Sequence, residues 1–244
     1  MRHILIKQNL DELSKAAVDR FVQIANASIV AHGSFSVALA GGSTPHHLYS
    51  LLASENHRLK LDWTRVDFFF SDERHVLPDS DQSNFRMANE TLLEPLNISS
   101  TRVHRWQSEL PDAHEAAIAY ENELRDHFNH SRRPFDLVLL GLGEDAHTAS
   151  LFPNSPALRE IERLAVANRV EKLDTDRLTL TFSTINDAAN VMFIVAGRYK
   201  ADAVKNVLEG EFRPDDFPAQ FVNPEDGTLY WMLDEPAASL LTNE

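Results

Sequence analysis

The strongest constraint on the fold is a rhythm. Short apolar runs recur from one end of the chain to the other, separated by segments whose apolar residues fall at helical spacing. The runs at 4–6, 35–40, 66–70, 137–140, 164–167, 178–182, 191–195 and 229–232 read as strands. Several, such as Phe68-Phe69-Phe70 and Leu137-Val138-Leu139-Leu140, carry no polar face, the pattern of strands buried on both sides. Strands of that kind need helices above and below them, and the intervening segments supply these. Across residues 9–31, Leu10, Leu13, Ala17, Phe21, Ile24 and Ile29 trace one apolar stripe. Thr44 followed by Pro45 reads as a cap and first turn of a second helix through Leu48, Leu51 and Leu52. Further helices are predicted at 84–93, 112–128 and 199–208, with Pro-rich or charged loops at 78–83, 131–134 and 212–218. The expected class is α/β: a Rossmann-like, mostly parallel sheet with helices on both faces. One domain is expected over residues 1–244, with room for a small inserted lobe.

Composition narrows the chemistry. There is no cysteine, which excludes disulfides, thiolate zinc sites, iron–sulfur clusters and a cysteine nucleophile. Lys and Arg number 23 against 37 Asp and Glu, a net charge of −14 that repels nucleic acid and anionic membranes. The apolar stretch at the start, within MRHILIKQNLDEL, is too short for a signal core or a membrane span, so a cytoplasmic location is expected. No metal site is expected either: His127 and His130 are three apart near a helix end, but no third ligand of matching context stands near them in sequence.

In open parallel sheets ligands bind beyond the carboxyl ends of the strands, so the loops there carry the functional reading. The first, Gly41-Gly42-Ser43-Thr44-Pro45, combines two permissive glycines, two hydroxyls and a helix start, which suits either an anion cradle or a tight capped turn. It lacks the Lys of a nucleotide-binding P-loop and the spacing of a dinucleotide fingerprint. The second, Ser71-Asp72-Glu73-Arg74-His75, follows three aromatics. Arg74 could fork onto a phosphate, or the segment could be a solvated loop with an internal Asp–Arg pair. In the third, Gly141-Leu142-Gly143-Glu144-Asp145-Ala146-His147-Thr148, an acid stands two residues from an imidazole able to move protons near neutral pH. Lys200, past another strand end, either adds positive charge to the site or is a solvated lysine. Ser43 and Ser150 lack the Gly-x-Ser-x-Gly elbow of a serine hydrolase.

Taken together, these loops resemble the 6-phosphogluconolactonase family. The likeness runs through Gly41 to Pro45, Ser71 to Arg74 with Ser83-Asn84-Phe85, the run from Gly141 to Pro153, Arg177 to Thr181, Ile185-Asn186, and Gly197 to Ala201, reaching Trp231 and Asp234 with Ala237-Ala238. The resemblance implies a fold shared with glucosamine-6-phosphate deaminases and ribose-5-phosphate isomerases. It also implies hydrolysis of 6-phospho-D-glucono-1,5-lactone to 6-phosphogluconate in the oxidative pentose phosphate pathway, without metal or organic cofactor. In that reading His147 is the general base and Asp145 orients it. Gly41, Gly42, Ser43, Thr44, Asp72, Arg74, Asn84 and Lys200 bind the substrate. The expected partner is this small phosphosugar lactone, with no nucleic acid or membrane, and the expected assembly is a monomer or weak homodimer. One departure stands out: the family pattern has Gly before the catalytic His, where this chain has Ala146. A positive φ there would cost about 1 kcal/mol.

Two alternative readings stand beside this. A glucosamine-6-phosphate deaminase shares the fold and an Asp-x-His segment, but its following Phe-Asn-Glu-Pro stretch is replaced here by Leu151-Phe152-Pro153, so its ring-opening Glu is missing. A non-catalytic sugar-phosphate binding module would have no need of the Asp145–His147 pair.

Overall fold

The structure, a computed structural model, describes residues 1–128 and 135–242; the predicted loop at 131–134 and His130 lie outside them. A six-stranded parallel sheet is built from β1 (Arg2–Lys7), β2 (Phe35–Leu39), β3 (Val66–Phe70), β5 (Leu137–Leu140), β8 (Asn190–Val195) and β9 (Thr228–Asp234), in the order β1-β9-β8-β5-β2-β3. Every residue of β2, β3 and β5 is buried, as their unbroken apolar sequence requires. β1, by contrast, is an edge strand with Ile4 and Ile6 exposed.

Helix α1 (Leu10–His32) is bounded by local chemistry. Asn9 caps it, its side chain accepting from the Glu12 amide at 3.0 Å, Asp11 and Glu12 sit in the positive first turn, and Gly33 ends it at φ 91°. Its stripe of Leu13, Ala17, Phe21 and Ile24 is buried. Helix α2 (Ser43–Leu52) begins two residues earlier than predicted. Gly42, at φ 104°, makes the turn and its carbonyl closes the first helical hydrogen bond with the His46 amide, so Thr44 is helical and not the cap. The segment predicted at 84–93 is α3 (Asn84–Ala88) running into a π-turn at Asn89–Leu93, and those at 112–128 and 199–208 are α4 (Ala113–Phe128) and α6 (Ala201–Leu208). Two short helices, α5 (Phe182–Asn186) and α7 (Glu235–Ala238), complete the set.

The main correction concerns three strands. β6 (Ala165–Val170) and β7 (Thr175–Leu180) do not join the parallel sheet; they form an antiparallel hairpin turned at Asp174, φ 48°. The segment read as a charged loop after β3 is strand β4 (Asp72–Arg74), which pairs with β7 and completes a second, three-stranded sheet. Phe182, predicted to end a strand, opens α5 behind a Thr181 cap.

Ser71 is the joint between the two sheets. Its amide donates to Leu39 O of β2 at 2.8 Å, while its carbonyl accepts from the Leu180 amide of β7 at 2.9 Å. From β2 the chain moves to β3 on one side, and from β5 it moves through β8 to β9 on the other. The reversal leaves a crevice beyond the carboxyl ends of β2 and β5, where the first and third loops meet.

Candidate active site

That crevice is a cleft of about 330 Å³. Among the predicted residues Gly41, Gly42, Asp72, Arg74, Asn84, His147 and Lys200 line it. Ser43 and Thr44 line an adjoining recess of about 120 Å³, which shares Gly41, Gly42 and Lys200 with the cleft. Asp145 stands behind the imidazole.

The His147 loop is tightly specified. The Gly143 amide donates to His147 O at 2.8 Å, and Thr148 Oγ1 donates to Gly141 O at 2.9 Å. A Cβ on Gly143 would fall on the imidazole itself, so only glycine leaves room for the ring there. Ala146 sits at φ 60°, the left-handed conformation for which glycine is the natural residue, and Ala149 follows at φ 47°. His147 Nδ1 lies 2.5 Å from Asp145 Oδ1, and Asp145 Oδ2 accepts from Lys172 Nζ. Burial pushes the Asp145 carboxyl up, but the hydrogen bonds from His147 and Lys172 outweigh it and hold the group well below the usual carboxylate range. An ionised Asp145 can only accept, so the proton of a neutral imidazole resides on Nδ1 and Nε2 is left as a base. Phe152 stacks on the ring at 4.1 Å, and Lys172 Nζ lies 4.9 Å from the centre of the Phe152 ring.

The opposite wall is built by β4 and β7. Arg74 and Arg177 are directly paired across these strands, and both face the cleft. Like charges in register repel unless an anion lies between them. Burial and the neighbouring Arg74 charge lower the pKa of Arg177, against the pull of Asp72 and Glu73. Arg74 Nη1 donates to Gln82 O at 2.8 Å, and no Asp72–Arg74 ion pair forms among the described residues, contrary to the internal pair the sequence allowed. Asp72 instead accepts from Ser150 Oγ at 2.6 Å and from Asn84 Nδ2 at 3.3 Å. Asn84 in turn fills the space beside Gly41, where a Cβ would overlap its amide. Buried Glu73 collects the amides of Arg74, Asn84 and Phe85 and the Ser83 hydroxyl, fixing the loop; burial raises its pKa despite those donors. Burial lowers the pKa of Lys200, opposed by Glu144 and Asp145.

Sequence reasoning did not select Arg177, Ser150, Glu73 or Lys172 as site residues. Arg177 and Lys172 lie on the β6–β7 hairpin, which meets β4 and the His147 loop from far along the chain, and Ser150 carries no nucleophile motif to mark it. His46 and His47 stay outside the cleft, the latter 3.0 Å from Asp11.

Residues 8–231 match the family model described as glucosamine-6-phosphate isomerases/6-phosphogluconolactonase. The chain belongs to this family. It is 40% identical over 217 residues to a 6-phosphogluconolactonase of Synechocystis, covering 88% of each chain. A probable 6-phosphogluconolactonase 1 of Arabidopsis thaliana is 35% identical, with 98% of this chain and 93% of the relative covered. Among solved structures, 6-phosphogluconolactonase from Trypanosoma cruzi superposes with a TM-score of 0.89 at 31% identity, over 100% of this chain and 98% of that one. The enzyme from Trypanosoma brucei gives 0.88 at 31% identity, over 99% of both chains. No helix among the described residues is long and apolar enough to cross a membrane.

Proposed function

We propose that this protein hydrolyses 6-phospho-D-glucono-1,5-lactone to 6-phosphogluconate, the lactone-opening step of the oxidative pentose phosphate pathway. The observation that carries the reading is the Asp145–His147 pair, whose imidazole lines a cleft walled by Arg74 and Arg177 and closed at its other side by Lys200 and the α2 start. An ester needs a base for water and donors for the developing oxyanion. His147 Nε2 takes a proton from water as the oxygen attacks the lactone carbonyl. The imidazolium, held by Asp145, then returns it to the departing ring oxygen, which restores the neutral base, and the carboxylic acid so formed releases its proton to solvent as 6-phosphogluconate. Arg74, Lys200 and the Gly41–Thr44 turn hold the phosphate, Arg177 adds charge to the same anion, and Asp72 with Asn84 meets the sugar hydroxyls. The reaction needs no metal or organic cofactor in this scheme, and the protein works as a monomer or weak homodimer without a nucleic-acid partner. Leu151-Phe152-Pro153 in place of a Glu-bearing stretch speaks against the deaminase.

The test generates the lactone in situ from glucose 6-phosphate with a dehydrogenase and follows its decay. Added protein should raise the rate well above spontaneous opening, and His147→Ala should remove most of that gain. A decay unchanged by the protein, with the phosphosugar bound, would instead support a binding module.

A further inference from the structure

Near the start of β3, at the end of the strand away from the cleft, three metal-ligating side chains converge. They are Asp67 of β3, His104 just past the turn at Ser100–Arg102, and His127 in the last turn of α4. Their candidate ligand atoms all lie within 4.8 Å of one another. We propose that Asp67, His104 and His127 bind a divalent transition metal of the zinc class, at a site separate from the hydrolytic cleft.

His104 is arranged as a metal ligand. Its Nδ1 lies 2.7 Å from Glu123 Oε1, while its Nε2 is buried, makes no hydrogen bond and faces Asp67 Oδ1 at 3.7 Å. A carboxylate behind one ring nitrogen fixes the tautomer that frees the other, the outer-sphere arrangement typical of metal-bound imidazoles. Bonds of ~2.1 Å to two atoms 3.7 Å apart meet at about 120°, close to tetrahedral. His127 is exposed, so it can swing the remaining distance and leaves an entry path from solvent. Glu123 and His127 stand one turn apart on α4, which places the outer-sphere carboxylate and the third ligand on one face. Phe69 walls the site, stacked on His104 at 4.3 Å and edge-on to His127 at 5.0 Å.

Two charges set the competition. Arg102 Nη1 donates to both Asp67 oxygens at 3.0 Å, but a carboxylate offers about four lone-pair sites, so the guanidinium and a metal can share it. Asp67, Glu123 and Arg102 together leave one negative charge, which either a divalent cation or a proton on His104 can answer. Two nitrogens, one oxygen and a water form a donor set suited to zinc, and to cobalt as its spectroscopic substitute. A bound ion would tie β3 to the end of α4.

The full chain, stripped with chelator and dialysed, is titrated with Zn²⁺ by calorimetry and thermal unfolding, and with Co²⁺ by visible absorption. One equivalent should bind, raise the unfolding temperature and give the cobalt bands of a tetrahedral site. Glu123→Gln should weaken binding about 10- to 100-fold by releasing His104, and His127→Ala should weaken it at least as much while keeping the rate of lactone opening. His47→Ala should bind as the parent does. Absence of stoichiometric binding at millimolar metal would overturn the proposal in favour of a proton at His104. Binding that survives both His127→Ala and Asp67→Asn would overturn it equally.

Discussion

Gly143→Ala isolates the placement of the imidazole from its chemistry. Gly143 does not have a positive φ, so alanine meets no backbone strain there, and the added methyl has one principal obstacle. It falls on Nδ1 and Cε1 of His147 and lies 2.7 Å from Asp145 Oδ1, where ordinary contact begins at 3.4 Å. Restoring contact distances displaces the ring by about 1 Å or more and disrupts its bond to Asp145, and a displacement of that size costs about 100-fold in rate. The expected loss in kcat is therefore at least ~100-fold, or about 2.7 kcal/mol of barrier. KM should change little because the arginine wall is untouched. The partner variant is Gly141→Ala, two residues earlier in the same loop, where a Cβ finds no atom within 4 Å. It should keep nearly full turnover. Steady-state kinetics in the coupled lactone assay, with thermal unfolding as a check on folding, reads both. Near-normal kcat in Gly143→Ala, or equal losses in the two variants, would refute the role given to the packing between Gly143 and His147.

Arg177→Met should raise KM more than it lowers kcat, as should Arg74→Ala. An effect confined to kcat would remove either from the phosphate-binding role. Because the folded Asp145 pKa is depressed below the unfolded value of about 3.9, its stabilising contribution is complete above about pH 5 and is lost as pH falls through the acid range. Denaturant unfolding should accordingly show the gap between parent and Asp145→Asn narrowing from pH 7 to pH 3; a constant gap would contradict the ion-pair account. For Ala146→Gly, relief of the left-handed conformation, about 1 kcal/mol, is opposed by roughly 0.4–1 kcal/mol of unfolded-chain entropy and about 0.8 kcal/mol of buried methyl. Stability should thus change by less than about 1 kcal/mol, and a larger gain would mean the loop is more strained than φ 60° implies.

The parallel sheet was legible because β2, β3 and β5 are buried on both faces and so announce themselves as unbroken apolar runs. The small sheet was not. Its strand β4 is three residues long and reads Asp-Glu-Arg, and nothing local shows that Glu73 is buried and satisfied by four donors from the segment at 83–85 and its own neighbour. The pairing of Arg74 with Arg177 joins positions 103 residues apart in the chain, so the second arginine of the wall had no sequence neighbour to mark it. The His147 loop was readable because its glycines, acid and imidazole are contiguous. Its expectation of a strained Ala146 is met at φ 60°. Lys172 was hidden for the same reason as Arg177: it reaches Asp145 from the hairpin tip, 27 residues away.

The position of Ser71 has a mechanical consequence. Because one fully buried residue joins β3 to β4 and is hydrogen-bonded to β2 on one side and to β7 on the other, the arginine wall is pinned to the end of the parallel sheet that carries the glycine turn. The arginine wall cannot drift from the glycine turn without breaking the hydrogen bond from the Ser71 amide to Leu39 O, so the spacing of the two is set by backbone hydrogen bonding between the sheets, not by the balance of side-chain contacts. A substrate is thus gauged against a fixed span. The far end of the hairpin is held to the third loop instead, where Lys172 donates to Asp145 and Leu173 lines the cleft.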